Sequence, residues 1–358
     1  MHRNRTKPAL AISNTRVPQR KEWDHIWDNC RYSTYFHSKE WAEVWEQYTA
    51  GQLRPAPKII EFSDSKKALL PLSCSTSHGG LFKNYVSSPA GTFGGWISSD
   101  KLKLDHAQLL YKYLRRHFGN IRFMVNPYNE LMLKSMQLIR NEIRDEGFSE
   151  MKEETQALNL MGGFENILKM WQKKKASIVR KSNKARRAGV VIKVAQSLSE
   201  WREYFKCYEG SIQRWDKNVS STYTWKLFRL LFQQNSPNIR LWLSMLEDKV
   251  IAGALCFYSN KHSVYWHGAA FSEYFNIRPV NFLMFEIIKN ACQSQYCWFD
   301  FNPSGGHEGV KKFKKSFKCE SLQAPVYEFT TNARRFLLGL SKAKSVLFCS
   351  KEKRNALA

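Results

Sequence analysis

The sequence predicts a mixed α/β fold, built as two successive units of similar element order. Three observations carry that prediction. Runs of helical period alternate with runs of strand period along almost the whole chain. Residues 190–330 reduce to β-α-α-β-β-β-α-β-α-β, a mixed sheet whose central strands are antiparallel until one helical crossover. Residues 22–160 show a looser version of the same order. A chain of 358 residues is long for one core and comfortable for two, and 43% hydrophobic content with 12 Trp, 15 Tyr and 23 Phe fills their interiors.

The first 20 residues are basic and polar and read as a mobile tail, which leaves 21–160 as the first unit. Helical period starts at Glu22 and returns in SKEWAEVWEQY, where Ser38 is placed to cap and Trp41 and Trp45 share a face at i, i+4. PKIIEF, ALLPLSCS and KNYVSSPAGTFGGWI read as strands. A helix over 100–118, with Leu109, Leu110, Leu114 and Phe118 inward, leads to the strand IRFMVNP. Another helix over 129–146 ends before Gly147, and TQALNL at 155–160 is the unit's last strand.

The second unit, 161–330, opens on a long basic helix over 164–188 that closes at Gly189, a natural C-cap. Strand VVIKVA follows, then a helix over 198–215 opened by the capping pattern SLSE, and a helix over 222–235. Glu247-Asp248 joins strands 239–246 and 249–258 as a tight hairpin. Strand 262–271 precedes a helix over 279–293 with Pro279 at its start. Strand 296–301, a basic helix over 308–318 and strand 324–330 complete the unit, and 331–358 reads as a basic helical extension.

A formal charge of +25 favours polyanionic partners: nucleic acid, nucleotide phosphates or an anionic membrane surface. The eight cysteines (30, 74, 207, 256, 292, 297, 319, 349) form no CxxC pair, and a thiol such as Cys256 in AGALCFY behaves as a small hydrophobe. MHRNRTKPAL lacks the apolar core of a secretory signal, so the reducing cytoplasm is the expected location. No apolar run approaches the roughly 20 residues needed to span a bilayer. The nine histidines show no HxxxH or HExxH spacing, so no metal site is expected. GxSxG, GxxxxGKS/T and GxGxxG patterns are also missing, which argues against covalent and ATP-hydrolysing mechanisms.

Two stretches carry candidate chemistry. KKKASIVRKSNKARR (173–187) holds eight basic residues and no acid, while Ile167, Trp171, Ile178 and Ala185 fall near one stripe. An ordinary solvated face interleaves Glu with Lys, so Arg180, Lys184 and Arg187 are candidate polyanion contacts, with a merely solvated face as the alternative. In WFDFNPSGGHEGVKKFKKSFK (298–318) an acid at a strand end is followed by a glycine turn and a basic helix. Val310, Phe313 and Phe317 line one side of that helix, with Lys311, Lys314, Lys315 and Lys318 on its flanks. Gly305 and Gly306 let backbone N–H groups approach a ligand, and the helix N-terminus adds partial positive charge. Asp300 is read as orienting the turn through backbone N–H bonds, a catalytic acid being the alternative.

FDFNPSGGHEGVKKFKKSF resembles the FDF-G/P-S…GV-x-x-FK-x-x-F signature of the FemAB-like transferases, tandem-GNAT enzymes that acylate amines. The element order of 190–330 is likewise that of the GNAT acyltransferase fold. RKSNKARRAGVVIK, IQRW and VYWHGAAF are similar to further segments of that family, and YFHSKEWAEVW and SSPAGTFGGW to its N-terminal patterns FxHxxxW and SPxGxxGG. The resemblance spans about 23–330. It implies two tandem GNAT-like domains, a cleft between them and an active site on the second. Lys314 is then expected near the donor phosphate, with Tyr265 and Asp300 completing the catalytic set. Arg214 and Tyr265 match acceptor-binding positions, and Phe313, Ser304, Asn302 and His267 join the expected substrate contacts. The sequence departs from the pattern where Lys318 replaces a glycine, and where FNIRPVNFL stands in place of the Q/R-x-x-G-x-G/A loop of acyl-CoA users. The second departure favours aminoacyl-tRNA over acyl-CoA as the donor.

The implied reaction needs a deprotonated amine, positioning and a stabilised oxyanion, and no bound cofactor. Backbone N–H groups where strands 262–271 and 296–301 splay are candidates for the oxyanion site, with a tyrosine or water as proton relay. Two functions follow. One is transfer of an acyl or aminoacyl group from an activated donor to the amine of a cell-envelope precursor, polysaccharide or protein, with peripheral membrane association allowed by the charge. The other is a non-catalytic protein that binds RNA or another polyanion on a degenerate GNAT scaffold. Arg214, Tyr265 and Lys314 together favour the first, and the excess of charge favours the second. As a flanking lysine, Lys314 is expected to lower turnover and spare the melting temperature when replaced by alanine.

Overall fold

The computed structural model describes residues 9–77, 79–139, 148–214, 222–304 and 308–331. Gly305, Gly306 and all but the first residue of the expected 331–358 extension lie outside them.

Local signals account for most of the first half. Part of the expected tail is ordered, because Ile12–Arg16 (β1) pairs with Lys58–Phe62 (β3), and Arg16 bridges Glu22 at 2.6 Å and Glu61 at 2.9 Å. Arg20–Asn29 (α1) precedes Lys39–Tyr48 (α2), where Ser38 Oγ accepts from Trp41 N–H as the capping pattern predicts. After Arg54–Pro55 (β2) and β3, the run ALLPLSCS divides at Pro71-Leu72 into Lys67–Leu70 (β4) and Ser73–Ser77 (β5). Phe82–Val86 (β6) and Phe93–Gly94 (β7) flank the turn Ser87–Thr92. Leu104–His117 (α3), Asn120–Val125 (β8) and Glu130–Ile139 (α4) follow. Phe148–Met151 (β9) is a strand the sequence pattern did not reveal.

The second half begins with Glu154–Asn159 (β10). The single helix expected over 164–188 is two, Gly163–Lys173 (α5) and Ile178–Arg187 (α6), parted at Lys175 with φ +48°. The lysine run repels itself along one helix, whereas two axes bury Trp171 and Ile178 fully in one core. Gly189 (φ +84°) ends α6 as expected, then come Val190–Val194 (β11) and Leu198–Arg214 (α7). Glu200 accepts from Ser197 N–H at 3.1 Å and donates its own N–H to Ser197 Oγ at 3.3 Å, the capping box in full. Trp225–Gln233 (α8), Ile239–Leu246 (β12), Lys249–Tyr258 (β13), His262–Ala270 (β14) and Pro279–Gln293 (α9) lie within a few residues of their expected limits. Trp298–Asp300 (β15), Glu308–Lys315 (α10), Glu320–Gln323 (β16) and Val326–Thr330 (β17) end the described chain.

The strands form a small sheet, β1-β3-β4, and two large ones. One large sheet runs β2-β5-β6-β8-β17-β9, with β7 beside β8, and the other runs β11-β12-β13-β14-β15-β10-β16. The central strands of the latter are antiparallel, and among the described residues β14–β15 is its one parallel pair, across α9, as the element order requires. The unit boundary read at 160 needs correction. β10 enters the second sheet between β15 and β16, and β17 enters the first between β8 and β9. Both segments are apolar and strand-like, and period alone does not encode which sheet a strand joins. This exchange ties the halves together, and one aromatic core runs through both, with Tyr35 stacked on Phe257 at 4.6 Å.

Candidate functional site

β14 and β15 pair only through Val264 and Asp300 and then part. Beyond that point β14 bulges at Trp266 and continues to Ala270 against β13 alone. β15 turns aside, where Phe301 N–H donates to Gln156 O at 2.8 Å and Asn302 takes φ +59°. The sheet therefore opens as a V with Asp300 at its apex.

Asp300 is fully buried and fully engaged. Its carboxylate accepts from Thr155 Oγ1 at 2.5 Å, Tyr128 Oη at 2.5 Å and Asn302 N–H at 2.6 Å. The last bond is the turn-orienting contact expected from sequence. Burial pushes the carboxyl upward from its ordinary value, opposed by those three donors and by the Lys314 charge. Lys314, only 3% exposed, donates to the carbonyls of Asn302 at 2.6 Å and Pro303 at 3.1 Å. Burial lowers its ammonium to about 8, with Asp300 opposing. The expectation of Lys314 as a flanking cation at the cleft mouth is corrected: it lies beneath the Asn302-Pro303 turn and holds it from below. α10 buries Lys314 and leaves Val310 41% exposed, with Phe317 buried just beyond its end, so the inward stripe is rotated from the one expected.

Above that turn lies a cavity of about 760 Å³ between the halves. Ser88–Thr92 of the first half and Asn302-Pro303 of the second face each other across it, with Trp45, Tyr48 and Tyr223 as aromatic walls. Ala90 (φ +58°) and Gly91 (φ +62°) turn the chain sharply on the first-half side. Ser304 lines an adjoining pocket of about 440 Å³ with Gln156 and Lys311.

The other expected residues are placed as follows. Tyr265 is half-buried beside Phe301, and no described residue hydrogen-bonds its hydroxyl, which fits only because position 268 is glycine. His267 packs among Tyr204, Tyr208 and Phe228, its Nδ1 bonded to Tyr204 Oη at 2.6 Å, and burial lowers its pKa to about 3. It lines neither cavity. Arg214 is exposed but turned back on its own helix and on Ala270 O at 2.7 Å, over the Phe275 ring. Phe313 packs on Phe317 in the core. Arg180, Lys184 and Arg187 stand outward on α6, whose Ser182 and Ala185 face α9. The structure thus joins Asp300, Asn302 and Lys314 into one cluster and leaves Arg214 and His267 out of it. Sequence reasoning missed Tyr128 and Thr155, the donors to Asp300. The NPYN turn after a strand was a signal for Tyr128, and nothing local marked Thr155.

Residues 172–315 match the family described as acetyltransferase (GNAT) domain, from the end of α5 to the end of α10. The crystal structure of FemX aligns with 91% of this chain and 99% of its own at TM-score 0.68 and 12% identity. The chain has the tandem fold of the FemAB-like GNAT family. L-PGS from Bacillus licheniformis shares the fold at TM-score 0.56 and 12% identity, covering 88% of this chain and 93% of its own. The C-terminal domain of a putative lysylphosphatidylglycerol synthetase from Agrobacterium fabrum does so at TM-score 0.53 and 11% identity, covering 84% and 94%. No curated protein matches the sequence. The open β14–β15 pair lies inside the matched GNAT domain, the class of domain that transfers acyl groups. Among the described residues no helix is long and apolar enough to cross a membrane.

Proposed function

We propose that this FemAB-like GNAT protein transfers an aminoacyl group from aminoacyl-tRNA to a primary amine, in the cytoplasm where charged tRNA is made. One observation carries the reading: the SPAGT and FNP motifs, 210 residues apart, meet across a single cavity beside an opened parallel strand pair. An ester carbonyl at the V would meet the unpaired edge of β14, whose backbone N–H groups suit a developing oxyanion. The amine nitrogen bonds to the carbonyl carbon, the ester C–O bond breaks, and the leaving tRNA hydroxyl takes a proton. Tyr265, whose hydroxyl no described residue hydrogen-bonds, is the side chain suited to relay it. Lys314 and Asp300 act as positioning residues that hold the turn. Net charge of +25 and the exposed α6 basic face support tRNA over acyl-CoA. One similar structure is named for a putative lysylphosphatidylglycerol synthetase, which by name also places an aminoacyl group.

The second reading, a polyanion-binding protein without transfer, draws on Arg214 being spent on its own helix and Ala270. Incubation with radiolabelled aminoacyl-tRNA, or with labelled acetyl-CoA, separates the two. Transfer to added amines from the tRNA donor is expected, and binding of tRNA without transfer from either donor would leave the second reading. Contact with roughly six phosphates predicts that tRNA affinity falls by about a thousandfold between 50 and 200 mM salt. Charge reversal at Arg180, Lys184 and Arg187 is expected to flatten that dependence, and an unchanged slope would return α6 to a solvated face.

A further inference from the structure

We propose that Glu153 reads the acceptor: its carboxylate binds a primary ammonium carried on a body without phosphate. The inference rests on the transferase reading and names the acceptor class for that site. Glu153 sits in the link between β9 and β10, with its backbone carbonyl held by Ala324 N–H at 2.9 Å. Its half-buried side chain lines both cavities, the larger beside Asn302 and Pro303 and the smaller beside Ser304. It is the wall they share.

The charge of this wall is out of keeping with its surroundings. The Glu153 carboxylate accepts one hydrogen bond, from Glu154 N–H at 3.2 Å, and no cation forms an ion pair with it among the described residues. Neighbouring acids are committed, Glu154 to Lys311 at 2.9 Å and Glu328 to Arg122 at 3.3 Å. In a chain of net charge +25, an unpaired carboxylate beside a cavity is an opening for a cation from outside. Its field already reaches Lys314, whose charge it helps to sustain against burial. Arg122 is the one basic residue lining the larger cavity among the described residues, and Glu328 occupies it. A phosphorylated acceptor would meet aromatic faces and a carboxylate there, whereas an ammonium would meet a charge-matched acceptor.

Binding to the full-length protein without donor, measured by titration calorimetry, tests this with glucosamine, Nα-acetyl-lysine amide and glucose as probes. At least one ammonium probe is expected to bind about tenfold more tightly than glucose, the gain of a charge-assisted hydrogen bond. Which of the two binds more tightly distinguishes a sugar amine from a peptide amine. Glu153→Gln is expected to reduce the ammonium probes to the level of glucose, Glu153→Asp to keep the preference, and Glu154→Gln to leave it intact. An ammonium preference unchanged in Glu153→Gln, or none in the wild type, would overturn the assignment. With no donor present, the result is independent of transfer, so ammonium binding in a protein that transfers nothing contradicts the transferase reading alone.

Discussion

In the first large sheet the parallel pair β6–β8 parts after Val86 and Arg122, and β7 fills the gap by pairing Phe93 with Met124 and Gly94 with Val125. In the second sheet the parallel pair β14–β15 parts after Val264 and Asp300, and among the described residues no strand fills the gap. The ends of β8 and β15 are each followed by Asn-Pro, at 126–127 and at 302–303. The buried polar residue at the first end is the neutral Asn126, bonded to Tyr32 O at 2.6 Å and to Tyr128 N–H at 3.1 Å. At the second it is the ionisable Asp300, whose carboxyl burial pushes upward against the nearby Lys314 charge. Gly94 lets β7 seat tightly, since a Cβ there would fall 1.9 Å from Ser87 Oγ. The comparison teaches that one opened strand pair is plugged and neutral, which makes it a support. The other is left open among the described residues and holds Asp300 and Lys314, as the proposed transfer site requires. Tyr128 links them, because it follows the first strand end and donates to Asp300 at the second.

The largest expected effect concerns the joint that keeps the two ends in register. His37 of the first half and His262 of the second are buried and neutral, their pKa values lowered by burial to about 4 and about 3. His262 also bonds Ser33 O across the halves at 3.0 Å. The unfolded chain takes up protons first as pH falls, so their contribution is complete above about 6.5 and is lost toward pH 4. Each should cost about 2 kcal/mol at pH 5, read from urea unfolding at pH 7.5, 6 and 5. Stability that is flat over that range would mean the halves are not joined through neutral histidines.

Next in size, Lys314→Ala leaves Asp300 buried without its cation and should cost about 3 kcal/mol, the opposite of the spared melting temperature expected from sequence. The pair Asp300→Asn with Lys314→Met copies the neutral state of the first strand end and should recover most of that loss. A double variant no more stable than Lys314→Ala would show that the pair is not the coupled unit.

How much of this was legible follows from where each signal resides. The caps at Ser38 and Ser197, the β12–β13 hairpin and the α9 crossover are local patterns, and the chain follows them. The exchange of β10 and β17 is a choice between two equally apolar sheets, which no local pattern records. Asp300 was readable as a turn-orienting acid because its N–H partner is two residues away. Lys314 was misread because five lysines in eight residues hide which one shares the stripe with Phe317 at i, i+3. Thr155 and Tyr128 are 145 and 172 residues from Asp300 and were out of reach.

A smaller effect is expected at the link itself. Tyr128→Phe removes one donor to a buried carboxylate and should cost about 1.5 kcal/mol. A change below half that, by chemical denaturation, would leave Asp300 sufficiently held by Thr155 and Asn302. The smallest effect concerns Lys318, which ends the α10 turn at φ +60° where the resemblance calls for glycine. Lys318→Gly should stabilise by about 0.5–1 kcal/mol, since only glycine adopts that conformation without strain. A loss of stability there would mean the Lys318 side chain makes a contact worth more than the strain.

The central claim, that the open strand pair is the transfer site and the plugged one a support, is tested most directly by the folded neutral variant. Transfer from labelled aminoacyl-tRNA to an amine is measured for wild type and for Asp300→Asn with Lys314→Met, at a temperature where both are folded. The account predicts that the wild type transfers and the variant is slower by about a hundredfold, since loss of the held turn misplaces the reacting groups by on the order of 1 Å. Equal rates in the two proteins would contradict it and move the chemistry away from the β14–β15 opening.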